Sequence, residues 1–165
     1  MEIWQPAYIG IGSNLQNPKS QVLRASERLK ALASTRVVRI SPLYGSKPFG
    51  PVSQPDFVNA VAAVLTRLES RALLEELLAI ERAFGRPGER ERWGPRIIDL
   101  DLLVYGRERR QELGMTLPHP GIVERNFVLY PLADLAPDLD VPWLGRVAEL
   151  RGRLASDGLE RLGET

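Results

Sequence analysis

Cysteine is absent and histidine occurs once, at His119. Disulfide and zinc-thiolate frameworks are therefore excluded, and any histidine-dependent chemistry rests on a single imidazole. No run approaches the roughly 18–20 uninterrupted apolar residues that span a bilayer. The first six residues, Met1 to Pro6, lack the basic start and apolar core of a secretory signal. A cytoplasmic protein without membrane contact is the expectation. There is also little excess charge: the formal net charge is +1, too small to draw nucleic acid or acidic membranes by long-range attraction. Internal repeats and low-complexity linkers are missing, and 165 residues suit one domain, taken as 1–165. A monomer is expected.

What is present reads as alternating strands and helices. Ala7 to Gly12 is a strand entering a turn at Ser13-Asn14. Asn17 caps a helix with Pro18 at its first position, and Val22, Ala25, Leu29 and Leu32 extend it over 18–33. Arg36 to Tyr44 is a second strand, a proline- and glycine-rich loop covers 45–56, and Phe57 to Thr66 is a third strand. Ser70 caps a second helix whose stripe is Leu74, Leu77, Leu78 and Phe84, with Gly85 as its stop. A charged loop, 86–96, leads into a fourth strand from Ile97 to Tyr105. The order strand-helix-strand-strand-helix-strand predicts an α+β fold: a ferredoxin-like βαββαβ core whose antiparallel sheet has helices packed on one face. Extra C-terminal elements follow: a turn at 117–121, a short helix at 122–125, helix at 129–135, and a tail after Pro142 with one further helix.

The chemistry concentrates in Arg92-Trp93-Gly94-Pro95-Arg96-Ile97-Ile98-Asp99-Leu100-Asp101. Residues i and i+2 of a strand share a face about 7 Å apart, so Asp99 and Asp101 point together, while Ile98, Leu100, Leu102 and Val104 point to the helices. A solvent-facing polar edge is one reading of such a pair. Magnesium, held by one or two carboxylates plus substrate phosphates, is the other. From 82 to 96 there are five arginines against two glutamates, and Arg forks match phosphate oxygens. A loop of that make-up joined to paired carboxylates suits phosphoryl transfer, where positioning and charge neutralisation dominate. His119, between two prolines, either closes a turn or donates to a phosphate, and Arg125 can face the same site. The glycines of Gly10-Ile11-Gly12-Ser13-Asn14 read as packing and turn residues, because the lysine of a P-loop and the third glycine of a dinucleotide motif are both missing.

Five pieces in order give a closer resemblance: Tyr8 to Leu15; Pro48-Phe49-Gly50-Pro51 with Gln54 to Ala60; Arg92 to Arg96 leading to Asp99-Leu100-Asp101; Pro118-His119; and Arg125 to Leu129. From Ala7 to about Leu139 the chain resembles the 6-hydroxymethyl-7,8-dihydropterin pyrophosphokinases of folate biosynthesis. The resemblance implies transfer of pyrophosphate from ATP to the pterin hydroxyl, releasing AMP. It implies that Asp99 and Asp101 hold two Mg²⁺ ions and that Arg86 and Arg96 are catalytic. It assigns Glu81, Arg86, Arg92, Trp93, His119 and Arg125 to ATP. Ser46, Phe49, Phe57, Asn59, Trp93 and Phe127 fall to the pterin, with the two phenylalanines sandwiching its ring. Leu78, Gly88 and Pro120 depart from the family pattern.

The rival of another class is an RNA-recognition domain, which shares this element order but stacks bases on strand aromatics. Val58 to Val64 carries none. A regulatory small-molecule domain would leave Asp99, Asp101 and the arginine loop without work. Other magnesium-dependent nucleotidyl enzymes on this topology form the remaining alternative.

Overall fold

The computed structural model describes residues 3–47, 56–85 and 97–162. Strand β1 (Gln5–Ser13) runs between β4 (Phe57–Thr66) and β5 (Asp99–Tyr105), antiparallel to both. The six-stranded sheet has the order β10-β3-β4-β1-β5, with β3 at Tyr44–Ser46 and β10 at Leu159–Arg161, and β2 (Thr35–Ile40) also pairs β4. Helix α1 (Pro18–Lys30) connects β1 to β2, and α2 (Ser70–Ala83) connects β4 to β5. The βαββαβ order and the sequence β5-β1-β4-β2 across the sheet are the ferredoxin-like arrangement.

Local signals explain the elements. The Asn17 side chain accepts from the Ser20 amide at 3.5 Å and Pro18 opens α1. Val22, Ala25 and Leu29 are fully buried. The helix stops at Lys30, short of residue 33, where Ala31 closes it with its N–H on the carbonyls of Arg28 and Leu29. In α2 the cap is Glu69, not Ser70, which is the first helical residue and donates its hydroxyl to Glu108. The buried stripe is Leu73, Leu77, Ile80 and Phe84. Leu74 and Leu78, expected within it, are half-buried and line a cavity instead. Gly85 does end the helix, at φ +76°.

Two strand expectations need correcting. The run Arg36–Tyr44 is broken into β2 and β3, because Pro42 has no N–H to pair. At the break the Ser41 hydroxyl takes the Val61 amide at 2.9 Å, replacing a backbone carbonyl. In β5, a register shift between Tyr8 and Ile9 on β1 lies opposite Leu103. This bulge turns Val104 away from Leu100 and Leu102 and into the second core.

The sheet is covered on both faces, not one. Ile9, Ile11, Leu100 and Leu102 pack with Leu29 of α1 and Leu73 and Leu77 of α2. On the other face Val61, Leu103 and Val104 meet Leu129 and Leu132 of α3 (Asn126–Leu135) and Val147 and Leu150 of α4 (Val147–Gly152). Two hairpins, β6–β7 (Arg110–Glu112, Met115–Leu117) and β8–β9 (Asp140–Val141, Gly145–Arg146), fill in between. The tail is more than a helix. Residues 158–162 lie along β3, with Lys47 N donating to the Gly158 carbonyl and Leu162 N to the Leu43 carbonyl. The Asn126 amide donates to the carbonyls of Ala155 and Asp157 at 3.0 Å each, holding this segment to α3.

Candidate active site

The site lies on the part of the second face that α3 and α4 leave open, and at the adjoining free edge of β5. Register sets its floor: Gly12 pairs Asn59 on one side and Asp99 on the other, while Gly10 pairs Val61 and Asp101. Both glycines lie within β1, as the strand read over Ala7 to Gly12 requires, and Ser13, expected in the turn, is its last residue. Alternation puts Phe57, Asn59 and Val61 of β4 on this same face.

Asp99 and Asp101 are half-buried on either side of Leu100, whose side chain enters the helix-facing core. Because β5 is an edge strand, an outward-pointing amide needs an acceptor from outside the sheet. Leu100 N finds one in Glu81 of α2, at 2.8 Å from Oε2. Glu81 is itself only 5% exposed. The buried carboxylate thus fixes the peptide between the two aspartates. Around them opens a cavity of about 400 Å³, walled by Leu74, Leu78 and Glu81 of α2, Asp99 to Leu102 of β5, Gly114 to Thr116 of the β6–β7 hairpin, and His119 with Pro120.

His119 is fixed by its own backbone. Its N–H donates to the Leu103 carbonyl at 2.8 Å, and ring Nδ1 accepts from the Gly121 amide at 3.0 Å. The neutral ring must then carry its proton on Nε2, leaving that nitrogen as the donor. Burial pushes the pKa below its ordinary 6.5; Asp101 opposes this and Arg125 adds to it. The imidazole therefore sits within electrostatic reach of both residues. Arg125 lies across Gly121, so close that a β-carbon there would come 2.7 Å from Nε, and its guanidinium carbon is 5.9 Å from the Phe127 ring centroid.

On the β3 side, the Asn59 amide donates to Ser46 Oγ at 2.6 Å, and both residues are 5% exposed. Tyr44, the direct register partner of Asn59, donates its hydroxyl to Asp134 of α3. Burial, reinforced by that carboxylate, pushes the Tyr44 pKa up to about 12. This pair ties β3 to the helix that carries Phe127 near its start.

Of the site residues named from the sequence, the structure gathers Asp99, Asp101, Glu81 and His119 around the cavity, brings Arg125 beside His119, and joins Ser46 to Asn59. Arg86, Arg92, Trp93, Arg96 and Phe49 lie outside the described residues, as does Gly88. The apolar wall of Leu74, Leu100, Leu102 and Met115, with Thr116, was not picked out from the sequence. Its one signal was the i, i+4 pair Leu74 and Leu78 beside the main stripe of α2. For a divalent metal the donor set is two carboxylates, and among the described residues no three acidic, histidine or cysteine side chains are placed to hold one ion together. That set fits magnesium, which takes few protein oxygens and fills its shell from phosphates and water.

Comparison with known proteins agrees with this geometry. The family model described as 7,8-dihydro-6-hydroxymethylpterin-pyrophosphokinase matches residues 8–137. A 2-amino-4-hydroxy-6-hydroxymethyldihydropteridine pyrophosphokinase of Pseudomonas aeruginosa is 46% identical over 158 residues, covering 96% of this chain and 97% of its own. The protein of the same name from Haemophilus influenzae is 43% identical over 156 residues, 94% of this chain and 97% of the relative. Among solved structures, the wild-type HPPK-DHPS of Plasmodium falciparum with pterin and p-hydroxybenzoate superposes with a TM-score of 0.73 at 14% identity, over 93% of this chain and 43% of that one. An HPPK-DHPS in complex with substrates gives 0.76 at 13%, over 96% and 46%. The chain spans less than half the length of those larger proteins, and at such identity they speak to the fold alone. On the family match and the two close relatives, the chain belongs to the 7,8-dihydro-6-hydroxymethylpterin-pyrophosphokinase family.

Proposed function

We propose that ATP occupies the cavity at the edge of β5 and that the pterin lies on the adjoining face of β1, β4 and β3, so that the two meet over Asp99 and Asp101. The chain is a pyrophosphoryl transferase of folate biosynthesis, acting on hydroxymethyldihydropterin. In this reading the pterin hydroxymethyl oxygen attacks the β-phosphorus of ATP. The bond from that phosphorus to the α-phosphate bridge breaks, AMP leaves with the bridging oxygen, and the hydroxyl proton passes to solvent. Asp99 and Asp101 hold Mg²⁺, two ions in the fullest form of the proposal, which neutralises phosphate charge. Neutral His119 donates from Nε2 to a phosphate oxygen, and Arg125 adds a fixed positive charge. Glu81 contributes by holding the Asp-Leu-Asp peptide from the nucleotide side. Phe57 and Phe127 flank the flat ring, as stacked aromatics favour, while Asn59 and Ser46 read its edge. Arg86, Arg92, Trp93 and Arg96, with Phe49 from the other loop, complete the site. The enzyme works as one domain over 1–165, a cytoplasmic monomer.

The observation that carries this reading is the convergence of two same-face carboxylates and a Nε2 donor on one cavity at a sheet edge. Its test is product analysis. Purified protein with ATP, Mg²⁺ and the reduced hydroxymethylpterin should release AMP and pterin pyrophosphate in equal amounts. Release of ADP would mean that the γ-phosphorus is attacked, and would refute it.

A further inference from the structure

Gly12 poses a question that the proposed reaction leaves open. A glycine in a strand weakens it and contributes no packing, so some constraint should keep a side chain out. Backbone conformation is not that constraint: among the described residues the positive-φ glycines are Gly85, Gly106, Gly114, Gly145 and Gly158, and Gly12 is not one of them. Space is. A β-carbon at Gly12 would stand 2.9 Å from Asn59 Oδ1, with Phe57 Cδ1 and the Val58 carbonyl each at 4.0 Å. Two residues earlier on the same strand and face, the nearest atoms to a β-carbon at Gly10 would be those of the Leu103 side chain, at an ordinary 3.6 Å.

The collision matters because Asn59 has no freedom to retreat. Its Nδ2 is committed to Ser46 Oγ at 2.6 Å and the residue is 5% exposed. Oδ1 settles over the bare Cα of Gly12 while Nδ2 is anchored on β3, so the amide plane is gripped from both neighbouring strands. One N–H and the carbonyl lone pairs remain to be offered together. That is the complement of a heterocycle presenting a donor beside an acceptor, such as the amide-like pyrimidinone edge of a pterin. We infer that Gly12 is a positioning residue for pterin recognition: its missing side chain sets the orientation of the Asn59 amide. The inference rests on the pterin lying against Asn59, as proposed above. No atom of Asp99 is among those a β-carbon at Gly12 would meet, so the nucleotide side is unaffected.

The test is direct binding of the reduced hydroxymethylpterin and, separately, of a nonhydrolysable ATP analogue with Mg²⁺, by calorimetry. Wild type is compared with Gly12→Ala, Gly10→Ala, Asn59→Ala and the Gly12→Ala/Asn59→Ala double variant. Gly12→Ala should weaken pterin binding about tenfold or more, the scale of one or two misdirected hydrogen bonds. ATP-analogue binding should change less than about twofold, and Gly10→Ala should shift pterin affinity less than about threefold, since it creates no collision. On the Asn59→Ala background the alanine at 12 should cost nothing further, because the two effects share one contact. Pterin affinity unchanged in Gly12→Ala, equal losses for both ligands, or additive losses in the double variant would each overturn the inference. Should Gly12→Ala fail to fold, the double variant must fold, its obstructing oxygen being gone; a double variant that also fails to fold overturns the inference too. Wild-type protein that binds the ATP analogue but not the pterin would instead sink the substrate placement on which it rests.

Discussion

The two faces of the central strands are built from alternate residues of the same segments, and they contrast in almost everything. Toward α1 and α2 stand Ile9, Ile11, Leu100 and Leu102, at most 5% exposed. Toward the site stand Gly10, Gly12, Asp99, Asp101 and Asn59, which contribute little apolar area and leave two carboxylates near each other. The first face stabilises the fold: each fully buried aliphatic side chain contributes roughly 1.5–3 kcal/mol. The open part of the second face adds no such burial and sets two like charges side by side, an arrangement that suits a ligand, while the rest of that face packs Val61, Leu103 and Val104 into a second core. Stability and function are separated here by one pleat of the backbone, not by domain or distance.

Substitutions can break that comparison, and the largest effect is expected on the site face. Asp101→Ala should lower turnover by about 10²–10³-fold, the scale of losing one electrostatic stabiliser of a developing charge. Its thermal midpoint should equal or exceed that of wild type, since a repulsion is relieved. Initial rates and a melting curve on the same preparation decide it, and near-normal turnover would reject the assignment.

Next in size is the reverse case. Ile9→Ala, at a position with no exposure, should destabilise the fold by about 2–5 kcal/mol through lost burial and a cavity, read by denaturant titration. Rates per folded molecule should stay near those of wild type. A selective loss of activity there would mean that the faces are not independent.

The smallest effect sharpens the picture at His119. Burial lowers its pKa from 6.5, so below that pH an unfolded chain binds a proton that the folded one resists. Stability from this source is complete above 6.5 and falls as the pH drops below it. His119→Gln, which keeps an acceptor for Gly121 and a donor for phosphate, should lose that acid slope in denaturation experiments. The chain has a single histidine, so one imidazole NMR signal should titrate with a midpoint under 6.5.

How much of this was readable beforehand depends on whether a feature is local. The cap and stripe of α1, the existence of α2 and its stop at Gly85, the long strands β4 and β5 and the shared side of the aspartates follow from spacing a few residues apart, and the sequence carried them; the cap of α2 and half of its stripe fell one residue or one turn away from where spacing put them. Val104 was misplaced because a bulge is created by the pairing of two strands and leaves no mark in either alone. The break between β2 and β3 had a local cause in Pro42, but its partner, the Val61 amide, is distant. The floor of the site was missed for a similar reason. Gly12 was read as strand, but only register sets it between Asn59 and Asp99. Three-residue β10 has no periodicity to detect. The roles of Glu81 and Asn126 are hydrogen bonds across |i−j| of 19 and about 30, invisible to any sequence window.

The strand laid along β3 carries a consequence for biosynthesis. Ser46 leaves the ribosome long before its sheet neighbour Leu159. Until that late arrival, a growing chain presents β3 as a bare sheet margin able to recruit a stray strand from another nascent molecule. Pairings between such remote segments also form slowly. Translation that stalls before Leu159 would thus leave β3 as the weakest seam of the sheet, beside the proposed pterin site.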